Sequence, residues 1–267
     1  MSDPSRITSR QNPRVKEAVG LRNARERKRQ GRFLIDGARE IMRAFASGIR
    51  GVEAFVCEEL CESPDSRAAV DAAKSSGAEI LDVAPAVYEK LAFGDRNDGV
   101  VVVAEAPQRR LADLPLPTKP LVAVLEGIEK PGNLGAILRS ADAAGVHAVI
   151  IADGRTDLYN PNTIRASLGT VFRANVCPAT STDAIQWLRD HKLSIIAARP
   201  DARTLYTEVD FAGGVAIVLG SEAAGLSNAW NASGITSVKL PMHGLADSLN
   251  VSTTAAVLFY EALRQRG

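Results

Sequence analysis

Residues 121–153 read LVAVLEGIEKPGNLGAILRSADAAGVHAVIIAD, and this stretch decides the fold. LVAVLEG (121–127) is an unbroken apolar run of strand length. NLGAILRSADAAG (133–145) carries apolar residues at helical spacing and stops at Gly145, and HAVIIAD is a second apolar run. Strand, helix and strand in such close succession make a parallel β-α-β unit, and the lack of polar alternation in the runs says that both sheet faces are covered. Downstream, RASLGTV reads as a short helical turn and DAIQWLRDHK as a helix. LSIIAARP, GVAIVLGS and VKLPM read as strands apolar throughout, and SLNVSTTAAVLFYEALRQRG closes as a helix. The alternation predicts a doubly wound parallel sheet over 121–267.

Upstream, APQRRLADLPLPTKP carries Pro107, Pro115, Pro117 and Pro120, too many to be a helix or an inner strand. Residues 106–120 are therefore expected to be a linker. Before it, FLIDGAREIMRAFASGI (33–49) reads as a strand entering an amphipathic helix, and EAFVCEE and AEILDVA as strands flanking an Ala-rich helix near 67–76. VYEKLAFGDRNDGVVVVAEA supplies a helix, a polar turn and a β-branched strand at 99–104. Residues 1–105 are thus expected to form a separate small α/β domain.

The chain has 267 residues, is 46% hydrophobic and 24% charged, and carries a net charge of +1, so no global charge points to nucleic acid or membrane. No apolar run approaches a membrane span and the N-terminus lacks the apolar core of a secretory signal. Three cysteines, Cys57, Cys61 and Cys177, cannot build a disulfide framework, so a reducing, cytoplasmic setting is expected. The averaged charge hides an asymmetry. Residues 1–32 hold ten basic side chains against three acidic ones, a net +7, leaving −6 for the rest. Clustered cations suit a phosphate-bearing partner, with Arg10, Arg14, Arg25, Lys28 and Arg29 as candidate RNA contacts; a solvated helix face is the competing reading.

In doubly wound folds ligands gather beyond the carboxyl ends of strands, which singles out three loops. In the first, Pro131-Gly132-Asn133 opens a helix carrying Arg139, so free N–H donors and a guanidinium lie near one helix end. The second, VLGSEAAGLS (218–227), has a P-loop's glycine spacing but lacks its Lys-Ser/Thr, and misses the G-x-S-x-G nucleophile pattern by one residue. The third, KLPMHGLADSLNVSTTAA (239–256), leads into the last helix, where Ser248 and Asn250 are also ordinary helix caps. No G-x-G-x-x-G follows a predicted strand. Cys57 and Cys61 have no companion cluster and the three histidines stand apart, so no metal site is expected.

Together the three loops resemble the SpoU (TrmH-type) branch of the SPOUT superfamily of RNA ribose 2′-O-methyltransferases. Asn133 with Arg139 matches the first family motif. Leu219-Gly220-Ser221-Glu222 with Gly225-Leu226 matches the second, and Leu240-Pro241-Met242 with Ser248-Leu249-Asn250-Val251-Ser252 the third, in order and at family-like spacing. SRQNPRVK and GRFLIDGAREI are similar to the family's small ribosomal-protein-like substrate-binding domain. The resemblance implies a C-terminal parallel sheet threaded into a deep trefoil knot, and a homodimer whose active site is completed across the interface. It implies S-adenosylmethionine (AdoMet) held around Leu219, Gly220, Leu240, Met242 and Leu249. It assigns Arg139, Asn133, Glu222 and Asn250 to catalysis, and Arg165 is read as an additional RNA contact. In the family the matching arginine is proposed to deprotonate the ribose hydroxyl. Positioning a phosphate and stabilising the oxyanion is an equally good role, because a guanidinium normally stays charged. The expected substrate is 23S rRNA, with a further resemblance to actinobacterial enzymes that protect it from ribosome-targeting antibiotics. A tRNA methyltransferase and a non-catalytic RNA-binding protein are the alternatives; the separate N-terminal domain argues against the first and the complete set of four site residues against the second.

Overall fold

The computed structural model describes residues 6–93, 97–173 and 175–267. Its first elements are α1 (Pro13–Gly20), α2 (Ala24–Gln30), β1 (Arg32–Asp36), α3 (Ala38–Ala46), β2 (Gly51–Val56), α4 (Pro64–Ser75), β3 (Glu79–Asp82), α5 (Pro85–Leu91) and β4 (Val100–Glu105). There follow β5 (Leu121–Glu126), α6 (Pro131–Ala143), β6 (Ala148–Ala152), α7 (Pro161–Ala166), β7 (Val176–Ala179), α8 (Ser181–Asp190) and β8 (Ser194–Ala198). The last are β9 (Thr204–Leu205), β10 (Val215–Leu219), β11 (Ile235–Lys239) and α9 (Val251–Arg266). Helix starts follow local chemistry: Asn12, Ser63 and Asn160 each precede a proline and accept a backbone N–H of the first turn.

The described chain divides into two compact units, residues 1–108 with 158–173, and residues 109–157 with 174–267. In the first, a four-stranded sheet runs β1-β4-β2-β3, antiparallel except for the β2–β3 pair. Phe33, Phe55, Tyr88 and Leu91 are fully buried beside it. The segment 158–173 packs here through rings: Tyr159 stacks on Phe33 at 4.3 Å and Phe172 at 5.8 Å. Placing 158–173 with the first unit differs from the boundary expected at 121, because its aromatic residues find their partners on β1. The Pro-rich stretch also divides, since Leu114 is buried in the second unit's core and Leu111 and Leu116 pack against it.

The second unit holds a seven-stranded sheet, order β7-β6-β5-β10-β8-β11-β9, with every pairing parallel. The central strands β5, β6 and β10 are buried along their length, as both-face coverage requires. Sequence reading leaves out β7 and β9, which are the two edges. Pro178 in β7 argues against a strand, yet an edge strand tolerates the missing donor. The last strand runs through Ile235–Lys239, so Leu240-Pro241-Met242 lies beyond it, freed from the ladder by a proline. The strand is also less apolar than expected, since Thr236 is exposed.

Arg266 fastens the start of this sheet to its last helix. It donates to the carbonyls of Phe211 (2.9 Å), Lys119 (2.8 Å), Pro120 (3.2 Å) and Gly213 (2.5 Å). Truncation strands four carbonyls at once. Arg266→Ala is expected to lower unfolding stability by about 2 kcal/mol, read as an earlier urea midpoint at unchanged slope; an unmoved midpoint contradicts the assignment.

Candidate active site

The carboxyl ends of β8, β10 and β11 open on one cavity of ≈ 650 Å³. Its wall is built by residues 198–201 after β8, 219–226 at and after β10, and 238–242 at the end of β11, with the first turn of α9 and Lys130 completing it. Parallel strands deliver their following loops to the same edge, so residues far apart in sequence meet without any long-range search for a partner. All five residues expected to hold the cofactor, Leu219, Gly220, Leu240, Met242 and Leu249, line this cavity.

The loop after β10 is a tight turn. Ser221 N–H donates to the Gly225 carbonyl at 3.1 Å and Gly225 N–H returns to the Ser221 carbonyl at 3.0 Å, while Ser221 Oγ accepts Ala224 N–H. Gly225 closes the turn at φ +65°, a conformation that favours glycine. The turn exposes Glu222 on its outer side. Asn133 Nδ2 donates to Glu222 Oε1, and Asn250 Nδ2 donates to Asn133 Oδ1 at 3.3 Å. Asn250 is itself held as the cap of α9, its Oδ1 accepting Ser252 N–H at 2.9 Å and Ser252 Oγ–H at 2.6 Å. Three of the four expected catalytic residues therefore form one chain of hydrogen bonds joining α6, the turn and α9, with both turn and cap on the cavity wall.

Arg139 is the fourth, and it stands apart. It lies six residues beyond Asn133 on α6, about 9 Å along the axis and about 120° around it, on an exposed face and outside the cavity wall.

Sequence reading does not single out Lys130, Arg199, Asp201 or Glu126. The first three line the cavity, and Arg199 reaches Asp201 at 3.6 Å and donates to Asn231 Oδ1. The signal for them is position, since ARP directly follows the run that becomes β8 and Lys130 ends the loop after β5. Glu126, the last residue of β5, is 6% exposed and accepts four hydrogen bonds. Burial works to raise its pKa, but the bonds from Ser181, Ser227 and Trp230 outweigh it and leave the carboxyl below its ordinary value.

The expected RNA contacts divide by partner. Arg10 pairs with Glu89 at 2.7 Å, Arg14 with Glu53 at 2.9 Å and also with Glu79, and Arg29 with Glu26 at 2.6 Å. Arg165 donates to the Phe93 carbonyl at 2.6 Å, its guanidinium 5.7 Å from the Phe93 ring centre. Arg25 and Lys28 are exposed on α2 and make no ion pair among the described residues. Arg10 and Arg14 are thus met by carboxylates distant in sequence, which i,i+4 spacing does not reveal, whereas Arg29 pairs locally with Glu26. Among the described residues no cluster of three or more His, Cys, Asp or Glu is placed to hold a metal, and no helix is long and apolar enough to cross a membrane.

Comparison with known proteins matches residues 120–260 to the SpoU rRNA Methylase family and residues 12–102 to the MRM3-like substrate binding domain. The chain is 32% identical, over 98% of its length and 92% of the relative's, to a 23S rRNA (uridine(2479)-2′-O)-methyltransferase of Streptomyces viridochromogenes. Among solved structures, an RNA 2′-O ribose methyltransferase is 44% identical at TM-score 0.84, covering 98% of this chain and 99% of that one. The SpoU methyltransferase AviRb from Streptomyces viridochromogenes, in complex with AdoMet, is 29% identical at TM-score 0.87, covering 96% and 98%.

Proposed function

The chain belongs to the SpoU rRNA methylase family, and from that premise we propose how its residues divide the work of the reaction. It is an AdoMet-dependent rRNA 2′-O-ribose methyltransferase, and 23S rRNA is the substrate its relatives favour. The observation that carries the assignment of roles is the Glu222–Asn133–Asn250 chain of hydrogen bonds, whose two ends stand on the wall of a cavity that the five cofactor candidates share.

The cavity fits AdoMet on its own chemistry. Its volume lies in the range of small-molecule sites. Leu219, Leu226, Leu240 and Met242 offer apolar surface to a purine, the turn at 220–225 offers backbone groups, and Glu222, Asp201 and Asp247 place acids around a cationic ligand. When bound, the cofactor supplies an electrophilic methyl carbon. The chain must then align a ribose 2′-oxygen and take charge of its proton. One oxygen of Glu222 is occupied by Asn133, and the other makes no hydrogen bond among the described residues. That oxygen accepts the 2′-hydroxyl hydrogen bond, while Asn133 and Asn250 hold the carboxylate in place. Arg139 binds the adjacent phosphate and stabilises the developing 2′-oxyanion, in keeping with a guanidinium that stays protonated.

Because Arg139 is exposed and does not line the cavity of its own chain, we assign it to the site of a second copy in a homodimer. Tyr260 and Leu263 on α9, which packs against α6, are exposed large apolar groups suited to such an interface. The interleaved sheet order, with β10 between β5 and β8, agrees with a knotted chain path. Arg25 and Lys28 are the RNA contacts of the first unit. Arg10, Arg14, Arg29 and Arg165 shape the surface that carries them. A cytoplasmic location accords with an rRNA substrate. Transfer of labelled methyl from AdoMet to unmodified 23S rRNA, 16S rRNA and tRNA in parallel tests the reading. Label at one ribose 2′-oxygen of 23S rRNA is expected; label on tRNA alone, or none on any rRNA or ribosomal particle, overturns it.

A further inference from the structure

Glu126 is a buried carboxylate at the end of a central strand, and no ion pair compensates it among the described residues. A lone buried charge is costly. Here it is met by four donors: Ser181 Oγ at 2.6 Å, Ser227 Oγ at 2.8 Å and Trp230 Nε1 at 2.9 Å on Oε1, and Ser227 N–H at 2.7 Å on Oε2. Ser181 opens α8. Ser227 and Trp230 lie just after the cavity-lining turn, and Trp230 is fully buried. Residues 219–226 are therefore anchored at one end by β10 and at the other by this carboxylate. Glu126 itself does not line the cavity.

We propose that Glu126 is the positioning residue of the AdoMet site: its buried carboxylate pins Ser227 and Trp230, and through them fixes the turn 220–225 in its ligand-binding shape. The proposal rests on the reading of this cavity as the AdoMet site. The negative charge is required because every contact is a donor. A glutamine amide in the same place accepts with one end and presents N–H to a donor with the other, whichever way it is turned. Removing the carboxylate alone leaves the Ser181, Ser227 and Trp230 donors buried without an acceptor, so the carboxylate is what holds these donors, and with them the turn, in one geometry. Its effect falls on the cofactor first and on Glu222 second, because Glu222 rides on the same turn and is held there also by Asn133.

The test is calorimetric titration of the full chain with AdoMet, together with steady-state kinetics on 23S rRNA. Glu126→Gln is expected to raise the AdoMet Kd about tenfold or more, which corresponds to about 1.4 kcal/mol. The KM for RNA is expected to stay within about twofold and the kcat at saturating AdoMet to fall less than the affinity, because Asn133 also holds Glu222; Glu126→Asp, which keeps the charge, is expected to recover part of the affinity. Unchanged AdoMet affinity in Glu126→Gln overturns the proposal, as does a loss of RNA affinity of the same size as the loss of AdoMet affinity. Should Glu126→Gln fail to fold, Ser227→Ala and Trp230→Phe each delete one donor and leave the carboxylate; a severalfold rise in Kd supports the proposal and wild-type affinity in both overturns it. Failure of the unaltered protein to bind AdoMet condemns the reading of the cavity instead.

Discussion

Replacing Arg139 by alanine abolishes detectable methyl transfer while AdoMet binds as tightly as to the unaltered protein. Both halves of the expectation come from where the residue sits. Arg139 is exposed on α6 and absent from the cavity wall, so no cofactor contact is lost with it. Alanine is the best helix former, and an exposed site carries no packing penalty, so α6 and the Asn133 bond to Glu222 persist. On the proposed role, what disappears is the cation that meets the phosphate and the developing oxyanion, an interaction made chiefly in the transition state, and kcat is expected to fall by at least about a hundredfold. Arg139→Lys retains charge but not the planar fork, and recovers only part of the rate. On the proposed homodimer, in which Arg139 serves the second copy's site, mixing Arg139→Ala with a cavity-defective variant is expected to restore activity to mixed dimers, which single-subunit catalysis does not allow. Lost AdoMet binding in a folded Arg139→Ala protein, or activity near that of the unaltered chain, removes Arg139 from this role.

The sheet was readable because buried parallel strands advertise themselves: LVAVLEG, HAVIIAD and GVAIVLGS are apolar without interruption and became the central strands β5, β6 and β10. The edges were not, since an edge needs neither unbroken apolarity nor a full set of donors, and Pro178 and the two-residue β9 gave no periodic signal. The hydrogen-bonded trio Asn133, Glu222 and Asn250 was legible because a motif marks each of its members. Glu126 was hidden because its partners Ser181, Ser227 and Trp230 are 55 to 104 residues away along the chain. The basic N-terminal segment misleads for the same reason. Composition counts Arg10 and Arg14 as cations offered to a partner, whereas folding brings Glu89, Glu53 and Glu79 against them.

Gly220 marks the place where the cavity-lining turn after β10 has no room for a side chain. A Cβ at this position meets the Gly225 carbonyl carbon, and stands 2.5 Å from both the Gly225 oxygen and the Leu226 nitrogen. All three are backbone atoms, so no rotamer change relieves the clash and the turn itself must shift. It has little freedom to do so, because Ser221 and Gly225 exchange two backbone bonds, Leu226 is buried, and Ser227 and Trp230 are held by Glu126. Gly220→Ala is therefore expected to move the 220–225 turn out of its binding shape and raise the AdoMet Kd at least about a hundredfold, about 2.7 kcal/mol. The strand before it ends at Leu219 and the core beneath is unchanged, so the loss of fold stability stays within about 1–3 kcal/mol. RNA retention by the first unit is expected to persist. Gly132→Ala is the matching control: a Cβ there meets nothing within 4 Å, in the first turn of a helix, and alanine is expected to be neutral or slightly stabilising. A Gly220→Ala protein that binds AdoMet like the unaltered chain would show that the turn adapts, and the cavity's affinity for AdoMet would then have to come from the β11–α9 side, through Leu240, Met242 and Leu249.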